Sequence, residues 1–206
     1  MRRALLLFAL VACEKDKGGS TEKPVEGVPR KLAGVYPDKF KCESIATLEA
    51  LGETLGGAVR VIDTPVSVPK GLPNPCNYEV AASPLEYWTF DIDCRDGFKK
   101  RADALFAQYR QTSAELVQSY NELSDAGALK PTDAGIVMHA PTGASDVQVG
   151  AKGLDHHGQG LLFIDDDAPC YVRIVGPDPQ RRLLLAQLIA KNLTFANAPM
   201  TPRPMK

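Results

Sequence analysis

A long apolar stripe between residues 98 and 123 constrains the fold of this chain more than any other feature. Nine side chains recur at the three- and four-residue intervals of one helical face. They are Phe98, Ala102, Leu105, Phe106, Tyr109, Leu116, Val117, Tyr120 and Leu123. A helix of about seven turns must bury such a face, so a second layer of structure is expected beneath it. Asp96 is expected to cap its start, and Ser124-Asp125-Ala126-Gly127 to end it.

Shorter patterns before this helix predict a first helix and three strands. The helix spans 45–55 and ends at Gly56-Gly57, and the strands span 58–62, 76–82 and 87–93. The last two strands are joined by the predicted turn Ser83-Pro84-Leu85-Glu86. The strand 87–93 has two alternating faces, with Trp88, Phe90 and Ile92 on one and Tyr87, Thr89, Asp91 and Asp93 on the other.

The segment after the long helix repeats this mixture of strands and a helix. Strands are predicted at 135–140 and 147–152, and a hairpin at 160–164 and 170–175. Asp178 is expected to cap a final helix with Pro179 at its first position. Its apolar face consists of Leu184, Leu185, Leu188, Ile189 and Leu193.

This order of elements predicts an α+β fold, an antiparallel sheet with two or three packed helices. The 206 residues are 44% hydrophobic and 24% charged, which is ordinary for a globular protein, and we expect a single domain over 35–195. The formal net charge of −1 gives no reason to expect nucleic acid as a partner.

The first thirteen residues combine a short positive region, an apolar run and a cysteine. Arg2 and Arg3 precede apolar residues 4–12, a run shorter than the about 20 residues of a membrane span. The run ends in Leu10-Val11-Ala12-Cys13, which resembles the lipobox of bacterial lipoproteins. The resemblance implies that residues 1–12 are a cleaved signal peptide and that acyl chains on Cys13 anchor the protein to a membrane. The alternatives are an ordinary secretory signal with an incidental cysteine and the first turns of a cytosolic helix.

Two segments are expected to lie outside the folded domain. Residues 13–34 begin with the lipidated Cys13 and continue as a polar stretch rich in Gly, Pro, Lys and Glu, which predicts a disordered tether. Residues 196–206 form a Pro-rich tail that is also predicted to be unstructured. A flexible chain of about 20 residues spans roughly 25 Å, so the domain would stand clear of the lipid head groups.

The cysteines beyond Cys13 indicate an oxidising compartment. They are Cys42, Cys76, Cys94 and Cys170, and they lack the CxxC spacing of a redox or zinc site. Four such residues in an exported protein predict two disulfides with three possible connectivities. We favour Cys76–Cys94, because the predicted hairpin sets these residues opposite each other, and Cys42–Cys170 follows by elimination. Four free buried thiols are the alternative.

The arrangement resembles a group of small extracytoplasmic α+β envelope lipoproteins, mostly of unknown function and sometimes sensor-like. The resemblance covers about 42–194 and is carried by Ala50-Leu51-Gly52, Cys76-Asn77-Tyr78, the strand from Trp88 to Cys94, and the hairpin and helix after Gly160. The group has no agreed catalytic residues, so the resemblance implies none here.

Several acidic and histidine residues could act in catalysis or metal binding, although a purely structural role is the alternative for each. Asp91 and Asp93 share a strand face, as paired carboxylates of glycosidases can, or they simply form its solvated side. His156-His157 beside Asp155 could bind a metal or lie in an exposed glycine-rich loop, and the lone His139 is interpreted as structural. Asp165-Asp166-Asp167 lacks the spacing of a calcium loop and fits a hairpin turn. We predict no catalytic residue, metal site or cofactor.

Basic residues at two helix starts form a candidate anion site. Cations there oppose the helix dipole, which favours anions at that end, and such an arrangement could serve to bind a phosphate or a carboxylate. Solvated long side chains are the alternative interpretation. The residues concerned are Arg95, Lys99, Lys100, Arg101, Arg181 and Arg182.

Taken together, these features favour a membrane-anchored lipoprotein that acts as a binding, sensing or accessory module of the cell envelope. The anchor would lie in the inner or the outer membrane, with the domain on the extracytoplasmic side. An envelope hydrolase and a structural partner in an envelope complex are the alternatives. No GxSxG, HExxH, SxxK or glycine-rich phosphate loop occurs in the sequence, which lowers the expectation of an enzyme.

Overall fold

The computed structural model describes residues 31–63, 67–128 and 140–205. The predicted signal peptide, Cys13 and the predicted tether as far as residue 30 lie outside the described residues. So do His139 and the predicted strand 135–140, apart from its last residue.

The described residues form three α-helices and nine strands. The helices are α1 (Leu48–Leu55), α2 (Phe98–Asp125) and α3 (Pro179–Asn192). The strands are β1 (Leu32–Ala33), β2 (Val59–Val61), β3 (Cys76–Val80), β4 (Ser83–Asp93), β5 (Ser145–Val147), β6 (Lys152–His156), β7 (Gly160–Ile164), β8 (Tyr171–Val175) and β9 (Arg203–Pro204). Seven of them form an antiparallel sheet in the order β2-β3-β4-β8-β7-β6-β5, and β1 pairs with β9. The predicted α+β class is confirmed.

Helices cover both faces of the large sheet. On one face α1 and α3 pack against the main core, which contains Trp88, Phe90 and Ile92 as the alternation in β4 predicts. On the other face α2 packs on β6, β7 and β8 over a second, smaller core. The interior strand β7 contributes to both cores, because Leu161 and Phe163 point to one and Leu162 and Ile164 to the other. Its unbroken apolar sequence follows from burial on both sides.

Helix α2 extends beyond the sheet that it covers. Ala102, Phe106 and Tyr109 in its first half are buried, whereas Leu116 and Leu123 in its second half are 48% and 47% exposed. The apolar stripe therefore continues where the sheet no longer lies beneath it. The helix starts after Gly97 at a φ of 77°, so the prediction that Asp96 caps it is wrong. By contrast, Asp178 caps α3 as predicted, its side chain accepting a hydrogen bond from the Arg181 amide.

Two disulfides form, but with a different pairing from the one favoured by the sequence. Cys42 is bonded to Cys76 and Cys94 to Cys170. The predicted turn at 83–86 would have set Cys76 opposite Asp93, next to Cys94. The hairpin instead turns at Ala81-Ala82, and a register shift between Glu79 and Val80 then places Cys76 opposite Phe90. Cys94 follows the end of β4, where the neighbouring strand brings Cys170 beside it.

The C-terminal segment is part of the fold, so the prediction of an unstructured tail is wrong. Ala198 is fully buried and Met200 is 5% exposed, both within the main core. Val35 bridges Pro199, and β9 pairs with β1, which also places residues 31–34 in the domain rather than in the tether. Prolines are tolerated here because a two-stranded edge ribbon needs few amide donors.

The predicted strand 147–152 is also wrong. Val147 ends β5 and Lys152 begins β6, and the residues between them form the connecting turn, with Gly150 at a φ of 54°. The predicted hairpin of β7 and β8 is confirmed. In the described ranges, no helix is long and apolar enough to cross a membrane.

Candidate functional site

A network of ion-paired polar side chains lies on the α2 side of the sheet, along β4 and β8. Residues directly opposite each other on neighbouring strands share a face, and here Asp91 pairs with Arg173 and Asp93 with Tyr171. Helix α2 packs mainly on β6 to β8 on this face, and β4 lies beside the helix rather than beneath it. Four polar side chains therefore form the floor of a cleft beside the helix.

The cleft has a volume of about 320 Å³ and two apolar walls. Leu105 of α2 stands on one side, and the Pro-rich loop 68–75 stands on the other. The loop contributes Val68, Pro69, Leu72, Pro73 and Pro75. Apolar walls above a few fixed polar groups are typical of sites that bind small ligands.

Asp93 is a buried carboxylate held by two arginines. Arg95 donates from Nε and Nη2 over 3.0 and 2.7 Å, and Arg101 donates from Nε and Nη2 over 2.9 Å each. Burial alone would raise the pKa of Asp93, but these hydrogen bonds outweigh it and hold the pKa well below its usual range. Asp93 therefore stays ionised, and it cannot act as a general acid.

Asp91 and Arg173 form a more accessible pair on the same floor. Both the Nε and the Nη2 of Arg173 donate to Oδ2 of Asp91, over 3.0 and 2.6 Å. The side chains are 32% and 46% exposed, and Oδ1 of Asp91 accepts no hydrogen bond from the described residues. Burial is the largest single influence on the pKa of Arg173 and lowers it, but the hydrogen bonds and charges of Asp91 and Tyr109 together raise it by more, so the guanidinium remains charged. The pair offers an open acceptor and a charged donor side by side at the cleft.

This arrangement is suited to binding rather than to acid catalysis. A general acid needs a raised pKa, and an inverting pair needs two carboxyl groups free to face a substrate. Both carboxylates of the predicted pair are instead engaged by arginines. A ligand that combines polar and apolar groups could hydrogen-bond to the Asp91–Arg173 pair and pack against the proline wall.

The structure does not bring the six predicted anion-binding residues together. Arg95 and Arg101 meet at Asp93, whereas Lys99 and Lys100 are exposed on the first turn of α2. Arg181 pairs with Glu86 over 3.1 Å. Arg182 is fully buried and bonds both carboxylate oxygens of Asp155 over 2.8 Å each. Four of the six are therefore held by carboxylates of the chain itself.

The histidine and aspartate clusters also have structural surroundings. His156 lies on β6 at 2% exposure, so its predicted place in an exposed loop is wrong, whereas His157 is exposed. The Nδ1 of His156 accepts from the amide of Gly158 over 3.1 Å. Asp165 is 4% exposed and accepts from two backbone amides, and burial raises its pKa to about 6. Within the described ranges, no three His, Cys, Asp or Glu side chains lie close enough to hold a metal.

Sequence reasoning missed Tyr171 and Arg173, which complete the floor of the cleft. The alternation in Tyr171-Val172-Arg173-Ile174-Val175 does place both on one strand face. The pairing of β4 with β8, which sets them opposite Asp93 and Asp91, joins segments about 80 residues apart and has no local signal.

Comparison with known proteins yields no match to this chain among protein-family models, curated proteins or solved structures.

Proposed function

We propose that this protein is a lipid-anchored, extracytoplasmic binding module of a bacterial cell envelope. The proposal depends mainly on which of the five cysteines form disulfides. Four are joined in two disulfides, which are typical of oxidising compartments, so Cys13 is left without a disulfide partner in the chain. That cysteine directly follows the apolar run that resembles a lipoprotein leader.

The binding role is supported by the cleft between α2 and the Pro-rich loop. Its floor is rigidly organised, since Asp93 is fixed by two arginines and Asp91 by a third. Pre-ordered polar groups lose little conformational entropy when a ligand binds, which favours affinity. The module would present this cleft outside the cytoplasm while acyl chains on Cys13 hold it at the membrane.

Intact-mass analysis with metabolic palmitate labelling tests the anchor. We expect the wild-type protein to lack residues 1–12, to carry acyl chains and to incorporate label. The Cys13→Ala variant should keep its first methionine and take up none. Peptide mapping without reductant should recover Cys42 linked to Cys76 and Cys94 linked to Cys170. An unlabelled wild-type protein that retains Met1, or free thiols in place of these links, would remove the basis of the proposal.

A structural role in an envelope complex is a second candidate, favoured by the second half of α2. Leu116 and Leu123 are exposed there, seven residues apart on one helical face. Replacing both by Glu should leave thermal stability unchanged but abolish co-purification of any partner in a cross-linked envelope extract. Unaltered co-purification would exclude this face as the interface.

A further inference from the structure

The two ends of the described chain meet in a ribbon that exposes apolar side chains. Strand β1 pairs with β9, and the Met205 amide donates to the carbonyl of Lys31 over 3.0 Å. Leu32 is 56% exposed, Met205 is 50% exposed, and Tyr36 just beyond β1 is 53% exposed. Large side chains of this kind insert readily into the interfacial region of a bilayer.

A basic cavity of about 270 Å³ adjoins this ribbon. Its lining includes Pro37, which follows Tyr36, and three cations, Lys70, Arg95 and Arg203. Among the described residues that line it, Asp96 is the one carboxylate, and it bonds Arg203 over 2.7 Å. Lys70 forms no ion pair with the described residues, and Arg95 is neutralised from behind by Asp93.

Because Arg203 is paired with Asp96 and Arg95 shares Asp93 with Arg101, the excess positive charge of the cavity comes mainly from Lys70. The cavity lies beside exposed apolar groups. Such a combination is complementary to an anionic lipid surface, where each nearby cation strengthens binding and apolar side chains enter the head-group region.

The ribbon lies close in sequence to the proposed lipid anchor, which would bring this surface to the membrane. Lys31 begins the ribbon, 18 residues after Cys13 in the sequence. If these residues form the flexible tether that the sequence predicts, their mean span is about 23 Å, and a lipid-anchored molecule would hold this end near the bilayer at high effective concentration.

We propose that the ribbon and its basic cavity form a docking site for anionic phospholipid. The phosphodiester of a head group would occupy the cavity between Lys70 and Arg203. Leu32, Tyr36 and Met205 would lie at the interface. The inference rests on the proposed lipid anchor and adds an orientation to it: the domain sits on the membrane by one defined face.

Vesicle co-sedimentation of a chain that begins at Glu14 tests this docking site without any acyl group. Every contact described above lies after residue 30, so this chain retains the folded domain. We expect it to bind vesicles of phosphatidylcholine with about 30% phosphatidylglycerol at low salt, and to bind pure phosphatidylcholine far less. Binding should weaken strongly in about 0.5 M NaCl, because salt screens the cations.

Charge variants locate the site. Lys70→Gln with Arg203→Gln should weaken vesicle binding by about 25-fold, or about fivefold for each cation. Arg110→Gln with Lys152→Gln removes the same charge from α2 and β6, outside the cavity, and should have a much smaller effect. Both pairs are exposed at the surface, and circular dichroism should show that all variants fold.

Three outcomes would overturn the docking site. They are equal binding to both kinds of vesicle, equal loss in the two charge-matched pairs, and displacement by about 10 mM inorganic phosphate at constant ionic strength, which would indicate a site for free phosphate. Because this chain carries no lipid, a failure of palmitate labelling would remove the anchor without changing these results.

Discussion

Arg182 shows how a single residue can hold a charge inside this fold. Its side chain has no solvent exposure, and its three donors Nε, Nη1 and Nη2 bond Asp155 and the carbonyl of Gly176 over 2.6 to 2.8 Å. Desolvating two charges is costly, and hydrogen bonds from all three guanidinium nitrogens offset that cost. The predicted role of Arg182 in anion binding would require solvent access that the side chain does not have.

Replacing Arg182 by Met should lower the free energy of unfolding by about 3–5 kcal/mol, because Asp155 is left as an uncompensated charge. Urea denaturation at neutral pH measures the change. Arg110→Met is the matched control: this arginine pairs with Asp146 at the surface, and its loss should cost less than about 1 kcal/mol. Similar losses in the two variants would contradict the stabilising role assigned to the buried pair.

Asp165 should make the free energy of unfolding fall as the pH rises, whereas Asp93, whose pKa is lowered, should make it rise. Burial raises the Asp165 pKa from 3.8 to about 6, so its protonated form is favoured in the fold. Asp165 therefore contributes fully to the free energy of unfolding below about pH 4. This contribution, up to about 3 kcal/mol, is lost as the pH rises to about 6.

Asp165→Asn should therefore stabilise the protein at pH 7 and change it little at pH 4. Thermal unfolding across this pH range gives the comparison. Asp166→Asn removes the same charge from an exposed position in the same turn and should have a much smaller effect. A destabilised Asp165→Asn variant at pH 7 would contradict the cost assigned to the buried carboxylate.

At the scale of elements, the connection after β8 depends on one position without a side chain. A Cβ on Gly176 would lie 2.2 Å from Cε3 of Trp88, which is fully buried in the main core. Gly176 also supplies the carbonyl that accepts a hydrogen bond from Arg182. The close approach of this loop to β4 therefore requires glycine for space.

Gly176→Ala should destabilise the fold by about 3 kcal/mol, since a methyl group must displace the indole or the backbone. Gly158→Ala is a suitable control, because its Cβ would meet nothing closer than 3.8 Å and should change stability by less than about 0.5 kcal/mol. Denaturation followed by the fluorescence of Trp88, the single tryptophan, reports both stability and the packing of this site. An unshifted transition for Gly176→Ala would show that the loop has room.

At the scale of the whole molecule, the C-terminal segment closes the domain by returning to β1. Met200 enters the main core, whereas Met205, only five residues later, is half exposed. Met200→Ala should lower the free energy of unfolding by about 2–3 kcal/mol, and Met205→Ala by less than about 0.5 kcal/mol. Chemical denaturation of both variants checks this contrast. A negligible loss for Met200→Ala would restore the prediction of a dispensable tail.

The candidate site was only partly predictable, because its residues come from elements that are distant in sequence. Asp91 and Asp93 were identified because alternation within one strand puts them on one face. Their partners Arg173 and Arg101 come from β8 and α2, and these contacts depend on how the elements assemble. A pattern can thus indicate a carboxylate pair, but whether the pair is free or neutralised depends on the neighbouring elements.

Sequence alone determined the features that arise from local physics. Period-two alternation placed Trp88, Phe90 and Ile92 in the core, a long apolar stripe predicted α2, and Asp178 with Pro179 started α3. Tertiary structure decided what depends on register and distant contacts, namely the disulfide pairing, the burial of the C-terminal segment and the grouping of charges. The position of the β3–β4 turn and the register shift beside it have almost no signature in local composition. Together they place Cys76 opposite Phe90 rather than Asp93, and Cys94 bonds Cys170 instead.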